Sequence, residues 1–129
     1  MTNYISPTAV IGKVKFGKNI YIGNNTVIGT QPQYVGFSKK KILENKFKNL
    51  HVDDNVVIMD LCHIHAGIKR NTKIGKNSMI MSGTHIGHDV HIGSGCNISP
   101  NAAFAGEVTL KDDATIGMGA TIHQGVTIG

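Results

Sequence analysis

Residues 74–129 divide into sixes: IGKNSM, IMSGTH, IGHDVH, IGSGCN, ISPNAA, FAGEVT, LKDDAT, IGMGAT, IHQGVT and IG. The first position is always large and apolar: Ile74, Ile80, Ile86, Ile92, Ile98, Phe104, Leu110, Ile116, Ile122 and Ile128. The fifth is always small or β-branched, running from Ser78 and Thr84 through Cys96 and Ala102 to Val126. A period of six matches neither the 3.6 of a helix nor the plain alternation of a surface strand. It calls for one large and one small side chain pointing inward at fixed stations, with a turn between. Short strands stacked coil upon coil meet that demand, each pairing its backbone with the coils above and below. No single hexad buries its own Ile, so stability is a sum over neighbours along the stack.

Outward from this stretch the same template fits Val10, Phe16, Ile22 and Ile28, with Thr8, Val14, Ile20 and Thr26 at the small station. It fits again at Val52, Ile58 and Ile64, with Val56 and Cys62 in the small slots. Two segments break the frame. Residues 30–49, TQPQYVGFSKKKILENKFKN, hold no hexad and are expected to leave the stack as a loop, and loops this long are commonly functional. Residues 66–73, AGIKRNTK, read as a smaller bulge that absorbs a shift of frame. The coil resumes after each break, so residues 1–129 are expected to form one domain.

Composition agrees with short strands and tight turns. There are 16 glycines against three prolines, no Trp, 5% aromatic residues and an apolar fraction dominated by Ile and Val. No apolar run approaches the ~18 residues of a membrane helix. The start, MTNYISPTAVIGK, lacks the features of a signal peptide, so no membrane span and a cytoplasmic location are expected. Cys62 and Cys96 fall at inward small stations, which reads as packing and not as a disulfide framework or a catalytic thiol. Within the net charge of +5, Lys39, Lys40, Lys41, Lys46 and Lys48 cluster in the first break. That run is either a solvated loop or a site for substrate phosphates or an acidic carrier. No basic stripe with interleaved aromatics accompanies it, which argues against nucleic acid.

Seven histidines remain to be explained. His51 enters the resumed coil and is expected to be exposed. His63, His65, His85, His88, His91 and His123 fall at stations read as outward, so none is expected in the core. SGTHIGHDVHIG groups His85, His88 and His91, with His63 and His65 about one coil earlier. An imidazole near neutral pKa suits proton removal from an attacking hydroxyl or amine. Asp89, adjacent in sequence to His88, is a candidate to orient its ring.

Across nearly the whole chain, and most specifically in MIMSGTHIGHD (79–89), FAGEV (104–108) and GMGATIHQGVTIG (117–129), the sequence resembles the UDP-N-acetylglucosamine O-acyltransferase of lipid A synthesis and shorter sugar acyltransferases related to it. IGTQPQY (28–34) resembles the family's segment between early coils. The resemblance implies an all-β, left-handed parallel β-helix of hexapeptide repeats, three hexads per coil, with the loop of about residues 30–49 extruded. It implies a homotrimer with the site between subunits, and flat prism faces suit such cyclic packing. The implied activity moves an acyl group from a CoA or acyl-carrier-protein thioester to a hydroxyl or amine of a nucleotide-linked sugar, with no permanently bound cofactor. The general base falls on His88 and the oxyanion N–H on Gly106; the spacing of eighteen independently sets these two side by side. His85, His123, His65 and Gln33 fall to substrate binding.

The chain departs from the family at three places. Tyr34, Val35 and Gly36 stand where the loop has an Asp and a Lys, and Glu107 stands where a third His is found. The sequence ends at Gly129, mid-hexad, which reads either as a truncation or as a pared-down relative. Two other readings exist. A γ-class carbonic anhydrase would need a second zinc ligand five residues after the first, but Gly93 lies five after His88 and His91 only three, so no metal site is expected. A non-catalytic β-helix scaffold gives no reason to gather histidines around one coil.

Overall fold

The computed structural model describes residues 2–129 and is a parallel β-helix. Three sheets of six short parallel strands form its sides. One contains Tyr4–Ile5, Tyr21–Ile22, Val57–Ile58, Met79–Ile80, Asn97–Ile98 and Thr115–Ile116. The second stacks Val10–Ile11, Val27–Thr30, His63–His65, His85–Ile86, Ala103–Phe104 and Thr121–Ile122. The third begins at Val14–Phe16 and ends at Thr127–Ile128.

Position one of each hexad builds the core. Ile74, Ile80, Ile86, Ile98 and Phe104 are completely buried, and each stacks in register on its counterpart a coil away, as Ile80 does on Ile98 and Ile98 on Ile116. Burying one such side chain contributes about 1.5–3 kcal/mol. Position five fills the remaining space, with Val90, Cys96, Ala102 and Val108 also buried. Position four makes the corner. Asn77, Gly83, Asp89, Gly95, Asn101, Glu107 and Asp113 all have φ between 60° and 77°, the left-handed region that Gly, Asn and Asp tolerate best. Between coils the backbone bonds run regularly, for example Gly87 N–H to Phe104 C=O at 2.9 Å and His91 N–H to Val108 C=O at 2.9 Å.

The two breaks emerge as insertions. Partners in the second half lie 18 residues apart, as Lys73 and His91 do. The spacing widens to 36 across the long break, Val27 to His63, and to 22 across the short one, His63 to His85. The long break is not wholly a loop, because Lys39–Glu44 form a short helix capped by Ser38 and closed by Asn45 at φ 56°. The frame expected at the start of the chain is off by one residue. Ile11, not Val10, pairs with Ile28, and Val10 is 54% exposed. The first coil is a residue shorter than the rest, since Ile5 pairs with Ile22. Among the described residues no helix is long and apolar enough to cross a membrane.

Candidate active site

The short insertion forms the floor of the site. Its backbone N–H groups at Ile68, Lys69 and Arg70 all donate to Asp89 Oδ1, at 2.8, 2.9 and 2.9 Å. Arg70 adds a guanidinium bond from Nε to the Asp89 carbonyl at 2.8 Å, and Thr72 Oγ1 accepts from the Asp89 N–H at 3.0 Å. Asp89 is 1% exposed. Burial by itself would raise its pKa, but the hydrogen bonds from Arg70, His88, Ile68 and Lys69 prevail and hold the carboxyl below its usual range. A buried, fully bonded carboxylate results.

The other carboxylate oxygen, Oδ2, lies 2.8 Å from His88 Nδ1. A carboxylate only accepts, so Nδ1 carries the proton and Nε2 keeps its lone pair. His88 itself is 8% exposed. Its Nε2 side faces Gly106 on the next coil, where an added Cβ would stand 2.5 Å from Nε2. At the matching third station elsewhere an aspartate reaches back to cap the coil below: Asp112 Oδ1 accepts from Ser94 N–H at 2.9 Å and Asp60 Oδ1 from Asn24 N–H at 2.7 Å. Gly106 has no side chain to do so, and the imidazole takes that space. Among the described residues the Gly106 N–H has no protein acceptor, because the next third station, Gln124, does not bond to it.

His88 and Gly106 open onto a cleft of about 340 Å³ whose lining includes Gln33, His85, Ala103, Thr121 and Gln124. The long insertion closes one side, with Tyr34 standing edge-on to the His88 ring, centroids 6.1 Å apart. Beside the cleft, His85 is joined on the second sheet by two further imidazoles, His63 and His65. His63 pairs with His85 in register, and a bulge after Ile28 brings His65 opposite Thr30. Ring centroids lie 4.1 Å apart for His63–His65, 5.0 Å for His65–His85 and 5.9 Å for His63–His85. His65 Nδ1 donates to the Gln31 carbonyl at 2.8 Å. Burial dominates its titration and lowers the pKa to about 4; burial likewise lowers those of His63 and His85.

Residues 71–106, which span the His85–His88–Gly106 coils, match the family model described as bacterial transferase hexapeptide (six repeats). The fold is a hexapeptide-repeat β-helix. This hexapeptide-repeat chain is similar across 99% of its length to the solved structure of the UDP-N-acetylglucosamine acyltransferase of Arabidopsis, at 24% identity and a TM-score of 0.82. The enzyme of that name from Campylobacter jejuni matches over 99% of the chain at 25% identity and a TM-score of 0.75. The Francisella novicida one does so over 99% at 28% identity and a TM-score of 0.70. The chain covers 51%, 61% and 55% of those three structures, respectively. No curated protein matches it in sequence.

Of the residues expected from sequence, the hexapeptide-repeat structure brings Gln33, His85, His88 and Gly106 to one cleft, with Asp89 bonded behind His88. His65 keeps the outward face of His63, two residues away, yet is only 1% exposed, because the neighbouring imidazoles and the backbone at Gln31, to whose carbonyl it bonds, cover it. His123 is exposed and does not line the cleft, where its neighbour Gln124 does. His51 is only partly exposed, with its Nε2 buried. The backbone of Ile68–Arg70 is the part the sequence reading missed. Its only signal was a four-residue surplus in the frame beside a glycine, Gly67, whose Cβ would collide with the Arg70 carbonyl oxygen at 1.6 Å.

Proposed function

We propose that the chain transfers an acyl group from a thioester donor, acyl-CoA or acyl-carrier protein, to a hydroxyl or amine of a nucleotide-linked sugar, with His88 as general base. The observation that carries this reading is the chain of contacts from the Ile68–Arg70 amides through Asp89 to His88, with the bare Nε2 turned to Gly106. It is supported by the names of the matched solved structures at 25–28% identity.

In this mechanism His88 Nε2 accepts the proton of the acceptor group as its oxygen or nitrogen attacks the thioester carbonyl carbon. Asp89 stabilises the imidazolium that forms. Negative charge gathers on the carbonyl oxygen, and the free Gly106 N–H donates to it. Collapse of the tetrahedral species breaks the carbon–sulfur bond, and the leaving thiolate takes the proton back from Nε2. His85 and Gln33, at the cleft wall, hold the acceptor; the exposed lysines of the long insertion suit its phosphates or an acidic donor carrier. The working assembly in this reading is a homotrimer with the cleft completed by a second subunit. The test is thiol release from acyl thioesters in the presence of UDP-sugars. Acceptor-dependent release is expected, and cleavage that ignores every sugar nucleotide would reject the reading.

A further inference from the structure

A second constellation shares His85 with the cleft wall, sets His63 and His65 beside it, and takes no part in the proton path. We propose that His63, His65 and His85 bind one divalent transition metal of the zinc class. One ligand nitrogen from each of the three rings lies within 4.8 Å of those from the other two. The coil register enforces this, since His63 and His85 are direct cross-strand partners and His65, two residues after His63 on the same strand, shares their face.

His65 gives the strongest reason. A carbonyl only accepts, so the bond to Gln31 O puts the proton on His65 Nδ1 and leaves the lone pair on Nε2. That Nε2 is sealed from solvent and has no hydrogen-bond partner. A buried acceptor left bare is costly, and a metal ion beside His63 and His85 satisfies it. A ring N–H held by a backbone carbonyl is also the usual outer contact of a metal-bound histidine. Three imidazole nitrogens with no carboxylate suit Zn²⁺, Co²⁺, Ni²⁺ or Cu²⁺ and do not suit Mg²⁺ or Ca²⁺. At Zn–N distances of about 2.0–2.1 Å, tetrahedral ligands stand roughly 3.3 Å apart. The half-buried His63 and His85 side chains have to close by about 1.5 Å or less to reach that geometry. Thr30 Oγ1 bonds His63 Nε2 at 3.1 Å, a contact that metal binding through that nitrogen has to replace. This departs from the sequence reading, which tested ligand spacing only along the chain and assigned no metal. The 22-residue register, not a local motif, makes the cluster.

The test uses the intact chain, stripped with a chelator and titrated with Zn²⁺ alone, then with Co²⁺ while visible absorption is recorded. No substrate is present, so the result is independent of the acyltransferase reading. One Zn²⁺ per chain is expected, with an intense Co²⁺ d–d band of four- or five-coordinate geometry. His63→Thr and His85→Ala, which remove half-buried side chains, should each weaken Zn²⁺ binding by at least about 100-fold. His65→Ala should do the same where circular dichroism shows it folded, and His91→Ala should leave binding unchanged. Absence of tight Zn²⁺ binding, or binding that persists in both His63→Thr and His85→Ala, overturns the proposal.

Discussion

His88 Nδ1 and Asp89 Oδ2 are 2.8 Å apart although the two residues are adjacent in the chain. Neighbours on a strand point to opposite faces. Here Asp89 sits at a hexad corner with φ 61°, so its carboxylate folds back under the ring while Ile86, two residues before His88, stays in the core. The pair makes stability depend on pH. The folded carboxyl titrates below its unfolded value of about 3.9, so Asp89 stabilises the fold above that value and the contribution is lost as pH falls through the folded pKa. Melting temperature should therefore drop on acidification below about pH 4, and Asp89→Asn should be less stable at pH 7 with a flatter acid limb. Parallel acid limbs for the two proteins would contradict this.

Gly106→Ala should impair turnover without unfolding the chain. The added Cβ would stand 2.5 Å from His88 Nε2 and 2.6 Å from Cε1, closer than real contacts allow, so the ring has to move. Gly106 is not among the positive-φ glycines, so the backbone accepts alanine. Displacing a base by about 1 Å costs roughly 10²-fold in rate. Circular dichroism and kcat measured together separate this from a folding defect.

The long insertion should matter for substrate and not for the stack. Its residues carry Gln33 and Tyr34 to the cleft, while the helix Lys39–Glu44 contributes no buried residue. Deleting residues 36–47 should leave the β-helix folded and raise KM for the sugar nucleotide. Unchanged KM in steady-state kinetics would make the insertion irrelevant to the site.

Sedimentation should show a homotrimer at working concentration. The sides of the β-helix carry exposed apolar residues such as Met59 and Tyr21, which suit cyclic packing. A monomer that remained fully active would remove the need for a second subunit.

Most of the fold was legible because one inward Ile per six residues has no alternative packing. Ile74 through Ile116 lie where the period puts them. The period failed at Thr8 and Val10, where the short first coil shifts the count by one, to Ala9 and Ile11. Within the site, His88 beside Gly106 followed from the coil spacing, and Asp89 from adjacency. The three amides that hold Asp89 were illegible because backbone donors carry no residue identity. The burial of His65 was illegible for a related reason, since the cover comes from the Gln31 backbone of the long insertion and from imidazoles on neighbouring coils, which no local motif marks. The histidine cluster needed the width of the short insertion, which sets which coil lies over which.

The central claim is that His88 removes the acceptor's proton, and kcat of His88→Ala on a sugar-nucleotide acceptor tests it most directly. General-base catalysis contributes roughly 10²–10⁴-fold, so kcat should fall by that order with melting temperature nearly preserved. His85→Ala should cost less, since His85 lines the cleft wall without contacting Asp89, and His91→Ala, bonded to Asn71 O away from the cleft, should cost least. Near-wild-type turnover by folded His88→Ala would contradict the account, with the β-helix left standing and its base assigned to the wrong residue.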